Sequence, residues 1–197
     1  TTGLFSCTKS ISTTMATPVI TDTLPMANTI AKTDTLTVMA YNVLYYGNGC
    51  QSSTAALDGY LKTILQFSKP DLLSCEKMMA FNPVPGATGN LADEIVNNVL
   101  NTSLPNQYAY AIPTNNSGGK GMSVLFYNKQ KLSYVKTIPL LAYITDFDLY
   151  KLYYNDINLP IVKDTTFLYV VVNHTQSGSS SATRDQQVSQ YMAAMRS

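Results

Sequence analysis

His174 is the only histidine in the chain, and it stands directly after the apolar run Phe167–Asn173 (FLYVVVN). Asn42 stands near the end of another such run, Leu36–Leu44 (LTVMAYNVL). Polar side chains at strand ends, where a rigid scaffold opens into loops, are well placed to carry chemistry. The same positions suit a turn-forming asparagine and a hydrogen-bonded edge histidine, so residue type alone leaves both readings open. Glutamate occurs only at Glu76 and Glu94. With one imidazole, and with Cys7, Cys50 and Cys75 far apart and in no Cys-x-x-Cys pattern, thiolate zinc centres and multi-histidine metal sites are excluded. Metal chemistry here has to rest on a hard cation held by one or two carboxylates, as Mg²⁺ commonly is. The chain has no G-x-S-x-G, and one histidine without a paired nucleophile makes no triad. Gly118-Gly119-Lys120-Gly121 lacks the spacing of a phosphate-binding loop and leads into a strand pattern rather than a helix, so it reads as a hairpin turn.

The elements that must position these residues are read from periodicity. Leu36–Leu44 alternates apolar with small or polar residues, the pattern of a half-buried strand, and Gly47-Asn48-Gly49 breaks it. Thr54–Ser68 sets Leu57, Leu61, Ile64 and Leu65 on one helical face with Thr54 as N-cap. Lys69-Pro70 ends that helix, because the residue before proline avoids the helical region. Asp71–Met78 (DLLSCEKM) reads as a second, buried strand, Pro83–Gly89 as loop and Leu91–Leu100 as helix. Tyr108–Ile112, Gly121–Asn128, Leu132–Tyr143, Leu149–Tyr154 and Phe167–Asn173 read as strands, the last the most apolar and most buried. Ala182–Met195 has roughly helical apolar spacing and no terminator after it. Strand, helix, strand, helix and then a succession of strands points to α/β layers with a largely antiparallel component.

Composition bounds what such a chain does. Its 197 residues are 45% hydrophobic and 13% charged, enough for a real core and too apolar for a disordered chain. A net charge of +1 gives no strong nucleic-acid footprint. No apolar run is long enough for a transmembrane segment. Residues 1–35, rich in Thr and Ser, read as a flexible tether, with the folded domain over 36–197. Leu4-Phe5-Ser6-Cys7 matches the end of a bacterial lipoprotein signal. On that reading the protein is exported: periplasmic, secreted or lipid-anchored through Cys7. The alternative is an ordinary free cysteine in a loose segment.

Four segments, in order, resemble the endonuclease/exonuclease/phosphatase superfamily, the group that contains pancreatic deoxyribonuclease. LTVMAYNVLYYG resembles its opening strand and KPDLLSCEKM its second, usually written P-D-I-I-x-L-Q-E-V. GMSVLFYNKQKL resembles its central strand, and VVVNHTQSG followed by Arg184 and Gln187 its histidine-bearing strand and the helix after it. The resemblance implies a four-layer α/β/β/α sandwich of the deoxyribonuclease-I-like type, with the active site at one end of two packed sheets. It implies hydrolysis of phosphate esters with Mg²⁺ (or Mn²⁺) as cofactor. Asn42 and His174 would be the catalytic residues, Asn42 positioning metal or phosphate and His174 contacting phosphate. Lys151 would touch the substrate phosphate where an arginine is usual. Glu76 would be the metal ligand, although ungapped matching sets Lys77 at the family's glutamate position. Adjacent strand residues face opposite ways, so Glu76 takes that place only across a bulge or a one-residue deletion. Otherwise an ammonium sits where the cation belongs.

The family's later motifs, G-D-F-N and S-D-H, do not occur before Ser197. The resemblance therefore covers the first half to two-thirds of the family domain, incomplete at the C-terminus. The partners it implies are a phosphate-ester substrate and a C-terminal remainder of the same domain. The leading expectation is an exported bacterial phosphoesterase-like domain. The alternatives are a degenerate member that binds without catalysis, and a surface carbohydrate-binding or adhesion domain. The strand-helix-strand opening argues against the last, since such modules are usually all-β.

Overall fold

A computed structural model describes residues 35–47, 53–102, 105–156, 158–162 and 165–196. Of the expected tether only Thr35 falls among them; Cys7 and Cys50 lie outside the described residues. β1 (Val38–Tyr46) leads to α1 (Thr54–Ser68) and returns as β2 (Leu72–Met79), parallel to β1. The cap of α1 is Ser53 and not Thr54: the Ser53 side chain accepts from the Ala56 N–H, while Thr54 is already in the helix. The helix stops at Lys69, whose left-handed backbone turns the chain into Pro70 and whose N–H donates to the Leu65 carbonyl. α2 (Leu91–Ile95) is capped by the Asn90 side chain and continues as a π-helical turn over Val96–Leu100.

β3 (Tyr108–Ala111) and β4 (Gly121–Asn128) complete a first sheet of order β1-β2-β4-β3, in which β4 is antiparallel to both neighbours. β5 (Leu132–Tyr143), β6 (Thr145–Tyr154) and β7 (Phe167–Val172) form a second, antiparallel sheet. α3 (Leu159–Val162) joins β6 to β7, and α4 (Ser181–Ala194) follows β7. β6 begins at Thr145 rather than at the expected Leu149, because the buried Asp146 and Asp148 interrupt the apolar pattern by which a strand is read.

Two cores hold the layers. Leu72, Leu125 and Tyr127 from the first sheet meet Tyr150, Leu152 and Val172 from the second. On the other face of the first sheet, Leu73, Cys75, Val124 and Phe126 join Leu61 and Leu65 of α1 and Ile95 of α2. β2 and β4 thus bury both faces, which makes their sequences near-continuous apolar runs. α4 covers the far side of the second sheet, with the Tyr191 ring 5.5 Å from that of Phe147 and Gln187 fully buried. The layers run helix, sheet, sheet, helix. β7 is not the most buried strand: it forms an edge of its sheet, with Phe167 45% and Tyr169 55% exposed, and β4 takes that place. No helix among the described residues is long and apolar enough to cross a membrane.

Candidate functional site

β1 and β2 both lose regularity at the same end of the first sheet. Asn42 and Glu76 are register partners across the parallel pair, which sets their side chains on one face. Just beyond them the register shifts, between Asn42 and Tyr46 against β2 and between Cys75 and Met78 against β4. Leu44, Tyr45 and Lys77 adopt left-handed backbone, with φ of 46°, 63° and 61°. Such conformations are uncommon for residues with side chains, and a bulge re-aims the side chains around it. Glu76 lies against the strand-end histidine: its Oε2 is 3.3 Å from His174 Nδ1, and both side chains are three-quarters buried or more, at 24% and 22% exposure. Asn42 also forms a turn, its Oδ1 accepting from the Leu44 N–H at 3.0 Å, so Nδ2 is the donor end it presents to a ligand.

The loop that carries His174 is pinned from two sides. Thr145 Oγ1 donates to the His174 carbonyl at 3.0 Å. Gln187, buried on α4, accepts from the Gln176 N–H at 2.9 Å and donates to the Tyr143 carbonyl at 3.1 Å. Arg184, one turn earlier, donates to the Gly178 carbonyl at 2.7 Å. The two residues noted after the histidine motif therefore act by holding its loop against the second sheet.

Beside His174 opens a cleft of about 310 Å³, lined by Tyr45, Lys77, Lys120, Thr145, Thr175 and Ser177 among others. Lys77, redirected at the bulge, sets its Nζ 4.6 Å from the centre of the Tyr45 ring. One wall is the loop before β4, held by two buried carboxylates of β6. Asp146 accepts from the N–H groups of Asn116 and Ser117 and from Ser117 Oγ, the last at 2.6 Å. Asp148 accepts from the Thr114 N–H and Oγ1, both at 2.8 Å. Burial raises the Asp148 carboxyl above the ordinary range; bonds from Thr114 and Tyr150 pull it back in part, and the neighbouring Asp146 pushes it up. At Gly119 the loop passes so close to the turn between β5 and β6 that a Cβ would lie 2.2 Å from the Ile144 carbonyl oxygen.

Lys151 is not part of this group. Alternation along β6 puts Asp148, Tyr150 and Leu152 on the buried inner face and turns Lys151 outward. There its Nζ lies 3.8 Å from the ring centre of Phe167 and 5.6 Å from that of Tyr169 on β7. Its register partner Tyr169 lies five residues before His174. Lys120, by contrast, lines the cleft although the glycines around it mark only a turn in the sequence. Cys75 is fully buried, and burial, with Glu76 beside it, pushes its thiol far up, so it is no nucleophile.

No group of three or more His, Cys, Asp or Glu gathers among the described residues to hold a metal. The donor set at hand is the Glu76 carboxylate with the polar groups beside it. That suits Mg²⁺, which keeps several waters and binds through one or two carboxylates and substrate phosphate oxygens; it suits no metal that needs a full protein cage.

No protein-family model and no curated protein matches the chain. Solved structures do. A D. rerio TDP2 humanised by 14 mutations aligns with a TM-score of 0.51 at 12% identity, covering 81% of this chain and 55% of that one. D. rerio TDP2 complexed with single-strand DNA product gives 0.50 at 13% identity, covering 81% and 54%. An endonuclease/exonuclease/phosphatase family protein from Bacteroides thetaiotaomicron gives 0.47 at 11% identity, covering 81% and 58%. The chain spans little more than half the length of these structures. With its two packed sheets between helical layers, this protein has a deoxyribonuclease-I-like fold.

Proposed function

We propose that this chain is part of a divalent-metal-dependent phosphoester hydrolase exported from a bacterium, completed by a C-terminal remainder of the same domain. The observation that carries the reading is the contact between Glu76 and His174 beside Asn42, at one end of the packed sheets. Glu76 is the residue that would hold Mg²⁺ or Mn²⁺, and the bound cation supplies positive charge for the phosphoryl oxygens. His174 and Asn42 act directly on the substrate. With the Nδ1 proton donated to Glu76, His174 presents Nε2, which accepts a proton from water or, as imidazolium, donates to a phosphate oxygen. Asn42 Nδ2 donates to the same phosphate.

The test is hydrolysis of bis(p-nitrophenyl) phosphate, with Mg²⁺ or Mn²⁺, by the protein that includes the C-terminal remainder. The reading predicts metal-dependent turnover that falls by about 100-fold or more in Glu76→Gln and in His174→Ala. An inert protein with both metals contradicts it. Binding without catalysis then becomes the better reading, and Lys77 and Lys120 in the cleft favour it, since fixed ammonium groups hold an anion without turning it over. The export half rests on Leu4–Cys7. In a bacterial host, labelled palmitate should enter the wild-type protein and not Cys7→Ser; equal labelling, or none, removes the lipid anchor.

A further inference from the structure

His174, which contacts Glu76, is one of the residues that line the cleft. Lys77 and Lys120 line it too, with Thr145, Thr175 and Ser177, and no carboxylate occurs among the described lining residues. Neither lysine is there by default. Lys77 reaches the cleft through left-handed backbone at φ 61°, and Tyr45 and Ile144, which also line it, are left-handed too, at 63° and 66°. Strained backbone of this kind, gathered around one opening, persists where the surrounding structure enforces it and is concentrated at ligand sites. The Lys120 carbonyl accepts from the Ala80 N–H at 3.0 Å, which fixes the base of that side chain beside the end of β2. The volume of about 310 Å³ is that of a small-molecule site rather than of a lone ion.

We propose that Lys77 and Lys120 form a second anion subsite next to the Glu76–His174 pair, so that the preferred substrate carries another phosphate, or an equivalent anionic group, beside the ester that is cleaved. The proposal rests on the phosphoester reading above and names the substrate class of the same site. An ammonium is a point charge with three donors, suited to a phosphate whose orientation is set elsewhere. The two lysines then select for charge, while Glu76, His174 and Asn42 fix geometry. Such a subsite favours compact, multiply phosphorylated molecules over singly charged diesters.

The experiment is calorimetric titration of the full chain with inorganic pyrophosphate in EDTA, so that neither metal nor turnover takes part. Wild-type protein should bind. Lys77→Met and Lys120→Met should each weaken binding about tenfold, and Lys77→Arg should retain it, which separates loss of charge from loss of fold. Lys151→Met, the same change on the outer face of β6, should leave it unaltered. Absence of binding to the wild type, or wild-type affinity in both Lys77→Met and Lys120→Met, overturns the subsite. An inert hydrolysis assay with pyrophosphate still bound overturns the catalytic reading, and the substrate preference with it, and leaves only the anion site.

Discussion

Lys77 shows how one residue can hold both the ambiguity of the sequence and the strain of the site. In the sequence, Glu76 and Lys77 compete for one position, because strict alternation lets only one of two neighbours face the cleft. The structure breaks that rule: Glu76 meets His174 while Lys77 lines the adjacent cleft. Nothing in the residue types signals the bulge, since no glycine marks the left-handed backbone at Lys77. Lys77→Gly should relieve that conformation and raise stability by about 0.5–1 kcal/mol in urea denaturation, while weakening anion binding. Equal or lower stability would show that the backbone is not strained there. Asp148 couples stability to pH. Its folded-state carboxyl is raised by burial, so its contribution is fully present below the unfolded value of about 3.9 and is lost as pH rises through the folded one. Compared with Asp148→Asn, which does not titrate there, the wild type should gain stability as pH falls from neutrality. A stability difference independent of pH would contradict this.

Elements place these residues by contacts that sequence patterns do not encode. β4 and β5 occupy the spans expected of them, and burial on both faces makes β4 a near-continuous apolar run that residue type shows directly. β6 was legible only in its second half, since buried aspartates read as polar breaks although Asp146 and Asp148 are bonded to the loop before β4. The same loop hid Lys120, because a glycine-rich turn shows its conformation and not what it faces. Gly119 is the sharpest test of that packing. Gly119→Ala places a methyl against backbone, not against a side chain able to move, and should lower stability by about 2 kcal/mol or more. An alanine variant of wild-type stability would mean that the loop does not press on Ile144 as described. Lys151 lies apart from Glu76 and His174 for a related reason: the resemblance located a position along β6, and alternation turns it to the outer face.

Across the whole molecule, the four-layer order was legible because element type follows periodicity and the order of elements limits the ways their apolar faces can be covered. The meeting of β1, β2, the β5–β6 turn and the loop after β7 at one cleft was not, since it depends on register shifts and on a buried glutamine that reads as polar. Asn42, Glu76 and His174 come together at that end; Lys151 does not. The central claim is that this end of the sandwich holds a divalent cation through Glu76. As the only histidine, His174 gives one resolvable set of imidazole proton signals, set beside that carboxylate. Titration of the chain with Mn²⁺ should broaden those signals selectively at low metal concentration, and Glu76→Gln should require about 10–100-fold more metal for the same effect. Histidine signals that stay sharp in the wild type, or that broaden identically in Glu76→Gln, would contradict the account.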